Sequence, residues 1–194
     1  ISERLFRGLA PIVKHAPGRL LHTNVLGCAM FAAISGSSTA TTVTVGKISL
    51  LELFRRGYNK DIAVGSLAGA GSLGLLIPPS IVMIVYGILA EVSIVQLFSA
   101  GVIPGLMMAG LYSLYLMVAA WRDPSICPRD GSDVEPLTVA AMLGLAPTVA
   151  LIVVVLGSLY LGIATPSEAA AVGVVATLVL LAAERQLTFK VITD

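Results

Sequence analysis

From Ile62 to Ala90, and again from Leu97 to Ala120, the chain runs without one charged side chain. A helix needs about 20 apolar residues to cross the hydrocarbon of a bilayer. Three stretches are long enough: Leu97–Ala120, Leu137–Gly162 and Pro166–Ala183. Charged residues make up 12% of the 194, against about 25% in a soluble domain, and the mean hydropathy is +0.95. A water-soluble fold of this size would need a charged surface that this sequence does not supply. The chain reads as an all-α, multi-pass membrane protein. Its net charge of +1 gives no footing for nucleic acid; the placement of the basic residues carries the information.

A fourth stretch, Ile62–Ala90, is 29 residues long. As one helix it would measure about 43 Å against a hydrocarbon core of about 30 Å. It contains GSLGLLIPPS, Gly71 to Ser80. Pro78 and Pro79 remove two backbone donors and clash with the preceding turn, and Gly71 and Gly74 weaken the helix ahead of them. This pattern predicts two half-helices joined by an unwound stretch.

Between two shorter apolar arms, Leu20–Ile34 and Ala40–Phe54, lies the run ISGSSTATTVT. Seven of the ten residues from Ser35 to Thr44 carry a hydroxyl. Arms of this length suit a hairpin that enters the membrane and returns to the same face; the alternative is one span straight through the run. The basic residues favour the hairpin. It places Arg4, Arg7, Lys14, Arg19, Arg55, Arg56, Lys60, Arg122, Arg129, Arg185 and Lys190 on one side, while the opposite loops, Glu91–Gln96 and Ile163–Ser167, hold no Lys or Arg. The positive-inside rule makes the basic side cytoplasmic. Non-helical backbone at membrane depth survives only where protein buries it or a water-filled cavity borders it. Hydroxyls and freed carbonyls at such a tip are hard oxygen ligands for a small cation, and the hydroxyls also donate to an anion. Two interrupted elements of this kind mark the binding site of a secondary transporter.

Smaller features have plain readings. Asn24 lies in the entering arm, where a hydrogen bond across the hairpin or a role in positioning the tip would satisfy its amide. His22 falls near the interface. Thr165-Pro166-Ser167-Glu168 fits a capping box, and Glu91 is a solvated loop acid. The N-terminal stretch is amphipathic, either lying flat on the membrane with Leu5, Phe6 and Leu9 inward or packed as an arm on neighbouring helices. Cys28 and Cys127 form no metal-binding or disulfide pattern. The chain opens with Ile1 and without a signal-like segment, so we expect a piece of a longer protein.

At these residues the sequence resembles a known family. PGRLLHTNVLGCAMFAAISGSSTATTVTVGK, RRGYNKDIAVGSLAGAGSLGLLIPPSIVMIVYG and LFSAGVIPGL, in this order, closely resemble the large membrane subunit of TRAP (tripartite ATP-independent periplasmic) transporters. GIATPSEAAAVGVVATLVLL is similar to the start of that subunit's second repeat. The resemblance implies a sodium-driven importer of organic acids (a C4-dicarboxylate, sialic acid or similar carboxylate) in the bacterial inner membrane. It implies an elevator-type transporter built from inverted repeats, with a re-entrant hairpin and a broken helix. Its expected partners are a small membrane subunit, a periplasmic substrate-binding protein and the lipid bilayer, with Na+ as coupling ion and no other cofactor. Carried over residue by residue, the sodium and substrate site maps onto Ser35, Gly36, Ser37, Ser38 and Thr39 at the hairpin tip. It continues with Gly71, Gly74, Ile77, Pro78, Pro79 and Ser80 of the broken helix, and Asn24 is a supporting residue. The family's second hairpin and second broken helix have no counterpart in these 194 residues.

The expected organisation is an amphipathic cytoplasmic-side segment over 1–19, the re-entrant hairpin over 20–54, and the broken helix with its following transmembrane helix over 62–121. A cytoplasmic loop over 122–136 and helices opening the second repeat over 137–194 complete it. Other functions fit less well. A sodium/anion symporter of related elevator design shares the logic but not the motif wording. An intramembrane serine hydrolase needs a base beside its nucleophile, yet the only histidines, His15 and His22, precede the serine run. A channel with a re-entrant filter loop is distinguished by single-channel current. The topology is testable with cysteines placed at Lys14, Lys60 and Arg129, which should be labelled from one side of the membrane, and at Ser93, labelled from the other. Labelling of positions 14 and 60 from opposite faces would exclude re-entry.

Overall fold

A computed structural model describes residues 2–128 and 144–183. All regular structure among them is helical: α1 (Ser2–Val13), α2 (His22–Ser35), α3 (Ser38–Arg55), α4 (Lys60–Gly71), α5 (Ile81–Leu89), α6 (Ile94–Arg122), α7 (Ala146–Tyr160) and α8 (Pro166–Ala183). Short 3-10 turns at Arg19–Leu21, Ser72–Leu75 and Pro124–Ile126 join them.

The core is a packet of α2, α3 and α4. Leu21, Val25 and Cys28 recur one helical turn apart and bury against Val45 and Leu53 of α3 and Ala63, Leu67 and Ala70 of α4. Helix α1 adds Leu9, Ala10 and Val13 to the buried set and packs on α2 and α3, so the N-terminal stretch is an arm on its neighbours. At the base of the hairpin three segments meet. The Leu20 N–H donates to Tyr58 Oη at 3.3 Å, the Asn59 N–H to the Ile126 carbonyl at 3.2 Å, and Arg19 Nη1 to the Pro128 carbonyl at 2.7 Å. Arg19, Arg55, Arg56, Lys60 and Arg122 therefore gather at one end of the molecule.

Helix α6 runs antiparallel to the broken element α4–α5. Tyr112 lies against Gly69, Ile77 against Gly105, and Met83 against Gly101. With 29 residues, α6 is about 43 Å long. Among the described residues it is long and apolar enough to cross a membrane by itself, while α7 and α8 are shorter apolar helices. The expected span Leu137–Gly162 begins outside the described residues, as do the expected loop positions 129–136 and the stretch 184–194. Much of α6 faces outward: Ile103, Leu106, Met107 and Leu114 are all more than half exposed, an arrangement suited to lipid or a partner rather than water. Helices α7 and α8 pack as an antiparallel pair whose turn carries the capping box. The Thr165 N–H donates to Glu168 Oε2 at 2.8 Å, and the Glu168 N–H to Thr165 Oγ1 at 3.4 Å. Phe98, Leu159 and Ala169 join this pair to the start of α6.

Leu53 has no exposed surface. Leu53→Ala should lower the unfolding free energy by about 2–5 kcal/mol, the cost of an unfilled core leucine, as read from denaturation in detergent.

Candidate functional site

The hydroxyl run folds as the turn between two helices. Helix α2 ends at Ser35, and Gly36 closes it with φ 61°, a left-handed conformation that glycine adopts without Cβ strain. The Gly36 N–H donates to the Ala32 carbonyl at 2.9 Å. Ser37 then caps α3, its Oγ accepting from the Ala40 N–H at 3.3 Å. Ser35 Oγ and Thr41 Oγ1 are hydrogen-bonded across the turn at 3.0 Å, and Thr42 Oγ1 donates to the Ser38 carbonyl at 2.8 Å.

The second break stands directly against this turn. Helix α4 tightens into the 3-10 turn Ser72–Leu75, and the backbone stays irregular to Ser80, with a cis Pro78–Pro79 bond. Ser80 is fully buried, and its Oγ donates to the Leu75 carbonyl at 2.9 Å. The Ile81 N–H, first in α5, donates to the Gly36 carbonyl at 3.1 Å. One helix N-terminus is thus tied to the other element's turn. Two glycines permit the approach: a Cβ on Gly36 would meet the Pro79 carbonyl oxygen, and one on Gly74 would sit 2.7 Å from the Ser38 backbone nitrogen. Gly71 faces Thr42.

Of the residues expected at a site, Ser35, Gly36, Ser37, Ser38, Gly74, Pro79 and Ser80 meet here. Pro78 is buried beside them, Ile77 packs on Gly105 of α6, and Thr39 is exposed. Sequence reading stopped the tip at Thr39 and so omitted Thr41 and Thr42, which hold the turn together. Their signal was present: residues 38, 41 and 42 share one helical face. Asn24 is not at the tip. Its Nδ2 donates to the Ala63 carbonyl at 3.1 Å and to Ser66 Oγ at 2.8 Å, so the amide nitrogen bonds to α4. His22, at the hairpin base, is buried, and its Nε2 donates to the Pro17 carbonyl at 2.7 Å.

Electrically the cluster consists of backbone ends. Helices α3 and α5 begin here, and each beginning carries unpaired N–H groups and partial positive charge; α2 and the turn after α4 end here with partial negative charge. Beside the tip opens a cavity of about 550 Å³, bordered by Ser35, Gly36, Pro79 and Ile81, Phe98 of α6, and Thr177 of α8. Most of its wall is apolar. No group of three or more metal-ligating side chains of the His, Cys, Asp or Glu type occurs among the described residues; the oxygens on offer are hydroxyls and carbonyls.

Comparison with known proteins gives a consistent answer. The family model for the DctM component of the tripartite ATP-independent periplasmic transporter matches residues 1–194. The C4-dicarboxylate TRAP transporter large permease protein DctM of Pseudomonas aeruginosa is 41% identical over 179 residues, covering 90% of this chain and 40% of that protein. Its counterpart in Vibrio cholerae is 39% identical over 175 residues, covering 90% and 38%. The ectoine/5-hydroxyectoine TRAP transporter large permease protein UehC of Ruegeria pomeroyi is 35% identical over 180 residues, covering 92% and 41%. The chain spans about two fifths of the length of these curated relatives.

The docking of the two breaks is testable by amide exchange. Gly74→Ala forces the turn at Ser37–Ser38 away, an overpacking worth about 1–3 kcal/mol. The Ile81 amide should then exchange roughly 5- to 150-fold faster. Gly110→Ala, in open space on α6, should leave that amide unchanged.

Proposed function

The chain belongs to the family of the DctM component of tripartite ATP-independent periplasmic transporters, a family of permeases and not of enzymes, and we propose that it builds one half of the sodium and substrate site in sodium-coupled uptake of an organic acid. The observation that carries this reading is the hydrogen bond from the Ile81 N–H to the Gly36 carbonyl. It joins two unwound stretches, so that helix ends of both signs converge on one point. Carbonyls at the ends of α2 and of the Ser72–Leu75 turn, with Ser35, Ser37 and Ser38, suit a small hard cation. The N-termini of α3 and α5 suit a carboxylate.

The hairpin is re-entrant in this reading. Ile77 of the break beside its tip lies against Gly105, roughly 25 Å along α6 from Arg122 and roughly 16 Å from Ile94, so the break and the tip stop inside the span. The arginines and lysine gathered at its base face the cytoplasm, and the membrane is the bacterial inner membrane. The packed unit of hairpin and broken helix is the part that moves in an elevator cycle. A small membrane subunit and a periplasmic substrate-binding protein complete the system, and the second half of the site comes from sequence that the relatives have beyond the stretch they share with this chain. The hydrolase reading loses ground: His22 stands at the far end of α2 from Ser35, about 20 Å away, and is bonded to Pro17.

Uptake of candidate acids by the complete system, with and without sodium, tests the proposal. Uptake should be saturable and sodium-dependent. In the same assay Ser38→Ala and Pro79→Ala should each raise the sodium concentration for half-maximal uptake, since each removes a ligand or disturbs the unwound backbone that presents carbonyls, and one ligand is worth about 1–3 kcal/mol. Sodium-independent uptake in the unaltered system would overturn the coupling; unchanged half-saturation in both variants would move the ion elsewhere.

A further inference from the structure

Two buried oxygens in the packet of α2, α3 and α4 have no hydrogen-bond partner among the described residues: Asn24 Oδ1 and Ser49 Oγ. Both residues are at 0% exposure. They also stand at one height. Asn24 lies twelve residues before Gly36 and Ser49 twelve after Ser37, so the antiparallel pair α2–α3 brings them level. Along α3 and α4 the register is set by Thr42 against Gly71 and Gly46 against Leu67; continued, it carries Ser49 to Ala63 and Val64. Ala63 is where the Asn24 amide nitrogen bonds. The registers of α2 with α3, α3 with α4, and α2 with α4 therefore converge on one layer.

The orientation of the amide follows from its partners. Nδ2 faces the Ala63 carbonyl, and a flipped amide would set oxygen against oxygen there. Oδ1 consequently turns away from α4. Ser49 makes no bond to the carbonyl one turn back, unlike Thr42, whose Oγ1 donates to the Ser38 carbonyl. Buried atoms left in this condition are rare in folded proteins. The amide oxygen only accepts, and the hydroxyl donates and accepts, so one molecule able to donate twice satisfies both.

We infer that a single buried water bridges Asn24 Oδ1 and Ser49 Oγ. Two partners meet a buried water's minimum. They fall short of a cation's shell, since Ser66 Oγ and the Ala63 carbonyl are already engaged with each other and with Asn24. Through its nitrogen Asn24 holds α4, and through its oxygen and the water it holds α3. The three helices are thereby fastened in one layer about 18 Å from the hairpin tip.

A structure of the complete permease at a resolution that shows ordered solvent should reveal one peak within hydrogen-bond distance of both oxygens, and Ser49→Ala should abolish it. In thermal unfolding in detergent, Ser49→Ala should lower the midpoint by about 2–4 °C. The double variant Asn24→Leu with Ser49→Ala should fall no further than Asn24→Leu alone, because the shared water is lost once. Additive shifts overturn the inference. So does a Ser49 hydroxyl bonded to the Val45 carbonyl with no peak beside it, or a peak with five or more oxygens at metal distances.

Discussion

Everything at the centre of this molecule depends on where interrupted backbone finds its hydrogen bonds. A buried N–H or carbonyl without a partner is costly, so a packed chain that unwinds twice must bring the two interruptions together or fill the space between them. Here they are brought together. The Gly36 carbonyl, released by the end of α2, accepts from Ile81 at the start of α5. The missing Cβ atoms of Gly36 and Gly74 let main chain lie on main chain. The serines and threonines around this contact serve it as much as any ligand: Ser37 caps α3, Thr41 braces Ser35, and Ser80 closes its own turn.

The elements were largely legible in the sequence because the signals that make them are local. Gly36 and Ser37 between two apolar arms mark a turn, and Pro78-Pro79 after two glycines marks a break, whatever surrounds them. Thr165 and Glu168 make the capping bonds their spacing suggests. Partnerships were harder to read. For Asn24 the spacing suggested a bond across the hairpin or a role in positioning the tip; its amide nitrogen bonds to α4, whose position depends on Leu67 filling the space beside Gly46. For His22 the partner is set by the turn before it: a left-handed Gly18 folds the chain back and places the Pro17 carbonyl within reach of the ring. Polar side chains in an apolar sequence announce that they need a partner without saying which one.

Helix α6 does quieter structural work. Its Gly101 and Gly105 admit Met83 and Ile77, and Tyr112 Oη and Ser72 Oγ are hydrogen-bonded at 3.1 Å. The broken element thus leans on one unbroken helix along both of its halves. That arrangement lets α4 and α5 give up continuity while keeping a common direction.

The cluster at the two breaks contains no side chain that gains or loses a proton in the ordinary range. Its polarity comes from peptide dipoles and hydroxyls, and a peptide dipole is the same at pH 5 as at pH 9. An acidic residue in this place would let protons compete with a metal ion for the same oxygens. Carbonyls and serines do not enter that competition. The proposed half-site would therefore answer to the concentration of its ion and not to acidity, which in a sodium-driven machine separates the one gradient from the other.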